Sequence, residues 1–178
     1  MSQVKIREAS VTDAKRLLEI YSYYVLHTAI SFEITVPTLE EFKQRIEDIS
    51  AKYPYLVVEE EGVILGYAYA HSFIDRAAYD HCCELTIYLD NKVKKHGFGR
   101  MLYEELEKRL LKMGIRNLYV CIGDPIKEDE YLTRNSEEFH HHMGYRKVGD
   151  FHKCGYKFDR YYNMIWMEKL IVDTIPTI

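Results

Sequence analysis

The segment Cys82-Cys83-Glu84-Leu85-Thr86-Ile87-Tyr88-Leu89-Asp90, followed at once by Asn91-Lys92-Val93-Lys94-Lys95-His96-Gly97-Phe98-Gly99-Arg100, decides the fold. The first half alternates, with Cys83, Leu85, Ile87 and Leu89 on one face and Glu84, Thr86, Tyr88 and Asp90 on the other, which predicts a strand with one core face and one polar face. Past the turn, Leu102, Leu106, Leu110 and Met113 recur at helical spacing, and Gly114 suits a left-handed cap at the end of that helix. A glycine turn between a strand and a helix lets backbone N–H groups converge on an anion at the helix start. Lys94, Lys95 and Arg100 add positive charge there in a chain whose formal net charge is −4. A pyrophosphate is the expected guest. The two common nucleotide fingerprints do not fit, because Leu102 stands where a dinucleotide-binding loop needs a small residue and no Gly-Lys-Ser/Thr follows the glycines.

Working outward, Val4-Lys5-Ile6-Arg7 alternates as a strand, and Ser10 with Asp13 caps a helix carrying Ala14, Leu17, Leu18, Tyr21, Tyr24 and Val25. Thr38 and Glu41 form a second capping box ahead of Leu39, Phe42, Ile46 and Ile49. After Pro54, the runs 55–60 and 63–71 flank Glu61-Gly62 and read as a hairpin. Downstream, residues 115–122 form a strand, Asn135-Ser136-Glu137-Glu138 opens a short helix stopped by Gly144, and 145–151 and 161–169 finish as strands. The predicted order is β-α-α-β-β-β-α-β-α-β-β. Three successive strands without a helix between them make an antiparallel centre, whereas the later β-α-β crossover demands parallel neighbours, so the sheet is mixed.

With 178 residues, one domain spanning 1–178 with a single core is expected. A 47% hydrophobic content with only nine Gly and four Pro excludes disordered and fibrous classes. The mild acidity argues against a nucleic-acid footprint, no apolar run approaches the ~20 residues of a membrane span, and no signal-peptide core opens the chain. The reading is a cytoplasmic protein without nucleic-acid or membrane partners. Cys82, Cys83, Cys121 and Cys154 show no zinc or disulfide spacing and are read as reduced. His140-His141-His142 lacks accompanying ligand spacing, so no metal is expected.

The element order and the Lys94-x-x-Gly97-x-Gly99 turn resemble the GNAT superfamily of acetyl-CoA-dependent N-acetyltransferases, whose motif is (Gln/Arg)-x-x-Gly-x-(Gly/Ala); here Lys94 replaces the usual first residue. Within that superfamily the chain resembles the phosphinothricin and methionine sulfoximine acetyltransferases over nearly its whole length. The resemblance is carried by Tyr53-Pro54-Tyr55-Leu56-Val57-Val58-Glu59, Arg76-x-Ala78-Tyr79-Asp80, Glu84-x-Thr86-x-Tyr88-Leu89 and Gly155-Tyr156-Lys157. It implies a mixed, largely antiparallel twisted α+β sheet of about seven strands flanked by about four helices. It also implies acetyl-CoA as co-substrate. The pyrophosphate would be held by Lys94, Lys95, His96, Gly97, Phe98, Gly99 and Arg100, and the pantetheine arm by the backbone of Ile87, Tyr88 and Leu89.

Acetyl transfer to an amine needs a neutral amine, a positioned thioester, stabilisation of the developing oxyanion and a proton for the departing thiolate. Glu84, on the polar face of the strand entering the glycine turn, is the candidate base, acting directly or through one water. His140 occupies the position where many GNAT enzymes have a tyrosine and the phosphinothricin group a histidine, and is the candidate to protonate the thiolate or assist the base. His141 and His142 are read as surface or packing residues. Related enzymes place an Asn before that histidine to contact the cofactor, whereas this chain has Thr133 there and Asn135 nearby. Arg76 and Tyr79 are the expected substrate contacts, since a guanidinium can hold a carboxylate or phosphinate bidentately, with Phe32 and Tyr156 as further contacts. The implied substrate is the primary amine of an amino acid or analogue, and the implied assembly a homodimer with the aromatic segment 156–166 at the interface. A protein N-terminus, lysine or polyamine is the alternative acceptor; a non-catalytic acyl-CoA sensor is the alternative from another class.

Overall fold

The computed structural model describes residues 3–93 and 96–171. Lys94 and Lys95 lie outside them. The elements are β1 (Val4–Glu8), α1 (Ala14–His27), α2 (Leu39–Ser50), β2 (Tyr55–Glu60), β3 (Val63–Ser72), β4 (Cys82–Leu89), α3 (Phe98–Lys112), β5 (Asn117–Asp124), α4 (Asn135–His142), β6 (Arg146–Lys157) and β7 (Arg160–Leu170), with short 3-10 turns at Val11–Asp13 and Ala77–Tyr79. The expected order is reproduced. The main difference is β6, which runs on to Lys157 through register shifts after Lys147 and Phe151.

The strands form one seven-stranded sheet in the order β1-β2-β3-β4-β5-β7-β6. Every neighbouring pair is antiparallel except β4 and β5, whose connection runs through α3. Local chemistry accounts for the ends of the helices. Thr38 Oγ1 accepts from the Glu41 amide at 3.2 Å while Glu41 returns to the Thr38 amide at 2.7 Å, so the capping box supplies partners for amides that α2 itself leaves open. Gly114, at φ +90°, takes the left-handed conformation that stops α3.

Both faces of the sheet are covered. On one, Leu102, Tyr103, Leu106 and Leu110 of α3 pack with Leu56, Val58, Ala68, Cys83, Leu85, Leu118, Val120 and Ile165 in the larger core. On the other, α1 and α2 bring Leu17, Ile20, Tyr21, Phe42 and Ile46 against Tyr55, Val57 and Tyr67. This second layer corrects the expectation of a polar face on β4. Tyr88, on the Glu84 side of the strand, packs into an aromatic group with its ring centroid 5.0 Å from those of Tyr21 and Tyr24 and 5.7 Å from that of Tyr67. The period-2 alternation was sound, but hydropathy alone does not separate a solvated tyrosine from one stacked under helices. The Glu84 face is therefore a dry aromatic floor with a few polar groups set into it.

Candidate active site

β4 and β5 pair only where Cys82, Cys83 and Glu84 face Asn117, Leu118 and Tyr119. Beyond Glu84 the two strands diverge, since β4 continues to Leu89 and β5 to Asp124 with no further pairing between them. The backbone groups that β4 would have offered to β5 open instead into a wedge. A cavity of about 270 Å³ fills the wedge, walled by Glu84, Thr86, Ile87 and Tyr88 of β4, Cys121 and Gly123 of β5, Tyr103 of α3, Ser136 and His140 of α4, and the 30–33 loop after α1. A second hollow of about 290 Å³ lies at the start of α3, bounded by Leu89, Val93, His96, Gly97, Phe98, Gly99, Arg100, Phe139 and His142.

The glycine turn fits an extended phosphate-bearing ligand. Gly97 has φ +76° immediately before the first residue of α3, and the leading amides of a helix have no intrahelical acceptor. Gly99 is buried; a Cβ there would lie 3.2 Å from the Phe139 ring and 3.5 Å from Ile87. A side chain at 99 would thus press on the join between α3, α4 and β4, where the turn meets the wedge. Ile87 and Tyr88 line the first hollow, and Leu89 with His96 to Arg100 the second, so most of the expected coenzyme residues lie along two hollows that adjoin where Gly99 approaches Ile87. Thr133 and Asn135 are exposed, with the Asn135 amide 3.5 Å from Thr133 Oγ1, and neither lines a hollow.

Glu84 is held on the floor of the cavity with 18% of its side chain exposed. Burial pushes its carboxyl up to about 7, because desolvation disfavours the charged form and no cation among the described residues other than a histidine lies within ion-pair reach. His140 is 3% exposed and has both ring nitrogens occupied. Its Nδ1 lies 2.7 Å from the Ser136 carbonyl, which only accepts, so Nδ1 carries the hydrogen; Nε2 then accepts from the Tyr103 hydroxyl at 2.9 Å. Burial lowers this imidazole to about 4, so it is neutral at physiological pH, and the same burial pushes the Tyr103 phenol well above its ordinary range. Tyr103 was not singled out in the sequence; its position little more than one turn into α3, after the glycine turn, was the available signal. His141 and His142 point their Nδ1 atoms at the Tyr145 and Glu138 carbonyls, and His142 reaches the second hollow.

Of the expected substrate contacts, only Phe32 lines the cavity. Its ring lies close over Gly155, where a Cβ would come within 2.6 Å of it. Lys157, 6% exposed, secures the same loop by donating to the Ser31 carbonyl at 2.7 Å. Arg76 and Tyr79 are exposed on the turn between β3 and β4, and Tyr79 meets Phe73 edge-on, the Phe73 ring itself stacking on Tyr119 at 4.0 Å. Tyr156 is 55% exposed and rests against Tyr161 rather than in the cavity.

The wedge, the glycine-started helix at its end and the desolvated carboxylate on its floor all lie within a segment that matches a known domain. Residues 6–166 match the model of the acetyltransferase (GNAT) domain, and the chain belongs to that family. It is an acetyl-CoA-dependent N-acetyltransferase. It is 31% identical over 154 residues to the phosphinothricin N-acetyltransferase of Streptomyces viridochromogenes, covering 86% of this chain and 80% of that one. Identity to the L-methionine sulfoximine/L-methionine sulfone acetyltransferase of Salmonella typhimurium is 29%, covering 92% of both. Among solved structures, a GNAT superfamily phosphinothricin acetyltransferase from Sinorhizobium meliloti in complex with acetyl-CoA superposes with a TM-score of 0.87 at 30% identity, covering 98% of this chain and 93% of that one.

Proposed function

We propose that the protein acetylates the primary amine of a small amino-acid analogue with an anionic or strongly polar side group, of the phosphinothricin and methionine sulfoximine type. Glu84 is the base in this reading, and the observation that carries it is a carboxyl lifted to about 7 on the floor of the cavity, where a base matched to neutral pH is needed. Bound acetyl-CoA supplies an activated acetyl thioester. This chain's residues hold it through the amides at His96 to Arg100 and the open edge of β4 at Ile87 to Leu89, with Lys94 and Lys95 adding charge and Thr133 and Asn135 bordering the α4 end. Glu84 takes a proton from the substrate ammonium. His140 Nε2 holds the Tyr103 hydroxyl, and we assign to that hydroxyl the proton needed at sulfur: its O–H turns from Nε2 to the thiolate, the O–H bond breaks as the S–H bond forms, and the phenoxide regains a proton from solvent. Phe32 walls the amine site; Arg76 and Tyr79 on the exposed turn between β3 and β4, and Tyr156 on β6, lie outside that wall and are assigned to the substrate's anionic end on the resemblance to the phosphinothricin group.

The test is a comparison of kcat/KM across phosphinothricin, methionine sulfoximine, methionine sulfone, ordinary amino acids, polyamines and an N-terminal peptide. Preference for the first three supports the reading; preference for polyamine or peptide overturns the substrate class. Arg76→Ala is expected to raise KM for phosphinothricin roughly 10-fold or more with acetyl-CoA KM unchanged, since a guanidinium–anion contact contributes about 1.5–3 kcal/mol. Steady-state kinetics with each substrate varied in turn measures it. Gly155→Val, which drives a side chain into the Phe32 ring, is expected to raise the amine KM by about 10-fold and to lower stability by about 1–3 kcal/mol. Thermal melting and the same kinetics separate the two effects.

We further infer a single domain over 1–178, a cytoplasmic setting and a homodimer. The continuous sheet supports the first; among the described residues no helix is long and apolar enough to cross a membrane. The dimer reading rests on the edge position of β6 and on Phe151, Tyr156 and Tyr161, each about half exposed along β6 and β7. Sedimentation of the purified chain decides the dimer.

A further inference from the structure

Glu84 has a titratable partner on the neighbouring strand. His71 of β3 stands directly opposite Glu84 of β4 in the antiparallel register, so the two side chains leave the sheet on the same face. His71 Nε2 is 3.7 Å from Glu84 Oε2, and among the described residues no other side chain forms an ion pair with this carboxylate. His71 Nδ1 lies 3.1 Å from the Ser72 carbonyl. A carbonyl only accepts, so Nδ1 holds the hydrogen of the neutral ring, and the lone pair of Nε2 is left on the side of Glu84.

We propose that His71 and Glu84 act as one proton-accepting pair, His71 being a positioning residue that shares the proton Glu84 takes from the amine. The inference rests on the reading of Glu84 as the base and adds a second residue to it. In the step, an N–H bond of the substrate ammonium breaks with its electrons left on nitrogen, and the proton bonds to Glu84 and is shared between Oε2 and the Nε2 lone pair. No other reactant is needed. Burial moves both groups toward their uncharged forms, lowering His71 from its ordinary value of 6.5 and lifting Glu84 to about 7, so the captured proton rests chiefly on Glu84 while the Nε2 lone pair faces it. The surrounding titratable groups do not compete. Tyr69 of β3, with its ring 6.0 Å from His71, is pushed up to about 12, Tyr103 and Tyr119 are raised, and Cys83 and Cys121 are both pushed up to about 12, so all stay protonated through neutral pH.

A carboxylate whose captured proton can also rest on an imidazole binds that proton more tightly than the carboxylate alone, so the acid limb of kcat/KM reports the pair. His71→Phe keeps the bulk and the dryness but removes the lone pair; the limb is expected to fall by about one pH unit and the plateau above it by about 3-fold. His71→Gln, whose amide can donate to the carboxylate, is expected to move the limb at least as far and serves as the decisive variant if the phenylalanine does not fold. Binding of acetyl-CoA by calorimetry should be unchanged in both. A limb within about 0.2 unit of the parent in folded variants overturns the pair while leaving Glu84 as the base. A limb that survives in Glu84→Gln overturns both, since the titrating group then lies elsewhere.

Discussion

Glu84→Gln is expected to lower kcat by about 10²-fold or more, to abolish the acid limb of the rate profile, and to leave KM for acetyl-CoA nearly unchanged. An amide of the same shape cannot take the proton, yet it occupies the same place on the cavity floor. The variant also has a stability signature of fixed sign. Because the folded state holds the Glu84 carboxyl at about 7 against an ordinary 4.5, the native protein binds this proton more tightly than the unfolded chain does. Its contribution to stability is therefore most favourable below pH 4.5 and is lost as pH rises through about 7, leaving a desolvated carboxylate that costs about 3 kcal/mol in alkaline solution. The glutamine variant lacks that cost. Its melting temperature should exceed that of the parent above pH 7, and the gap should close on acidification. Scanning calorimetry at pH 5 and pH 8.5 checks this, and a base role and a strained ionised state are then read from one substitution.

His140→Ala is expected to lower kcat by about 10²-fold and to destabilise the fold by roughly 2–4 kcal/mol. The larger structural effect follows from the site: a nearly fully buried ring is removed, and the Tyr103 hydroxyl loses its acceptor inside the core. Tyr103→Phe separates the two roles. It keeps the ring against Phe139, His140 and Tyr145 and removes only the hydroxyl, leaving His140 Nε2 without its donor. If the pair serves the sulfur end, Tyr103→Phe should match the kcat loss of His140→Ala to within a few-fold while destabilising the protein by only about 1–2 kcal/mol. Near-normal turnover in folded Tyr103→Phe, with His140→Ala inactive, would return the proton to the imidazole. Denaturant melts run beside single-turnover rates make the comparison.

These predictions concern residues of unequal legibility. The strand carrying Glu84, the turn at Gly97 and Gly99 and the end of α3 at Gly114 were readable because each is local: alternation, glycine placement and helical spacing act over a few residues. The order of elements followed from the same signals, and with it the parallel pairing of β4 and β5. The splaying of those strands beyond Glu84 was not readable, because it depends on where distant chain segments insert rather than on either strand's composition. The same limit explains Tyr88, whose burial is decided by α1 and α2 crossing above it. It explains His71 as well. In the sequence it is one of eight histidines, thirteen positions from Glu84; only the antiparallel register sets the two side by side. Arg76 and Tyr79 carried the resemblance to the phosphinothricin group, yet they sit on an exposed turn outside the cavity wall, so motif and contact are different statements at these positions.

The most direct test of the whole account is mass-spectrometric detection of acetylated phosphinothricin and methionine sulfoximine from acetyl-CoA, run side by side with the parent protein and Glu84→Gln. Mass detection also avoids interference in thiol assays from the four free cysteines. The account predicts acetylated amine with the parent and a loss of about 10²-fold or more with the variant, both proteins binding acetyl-CoA equally. Equal product from the two proteins, or acetyl-CoA bound with no product from either acceptor, would contradict it.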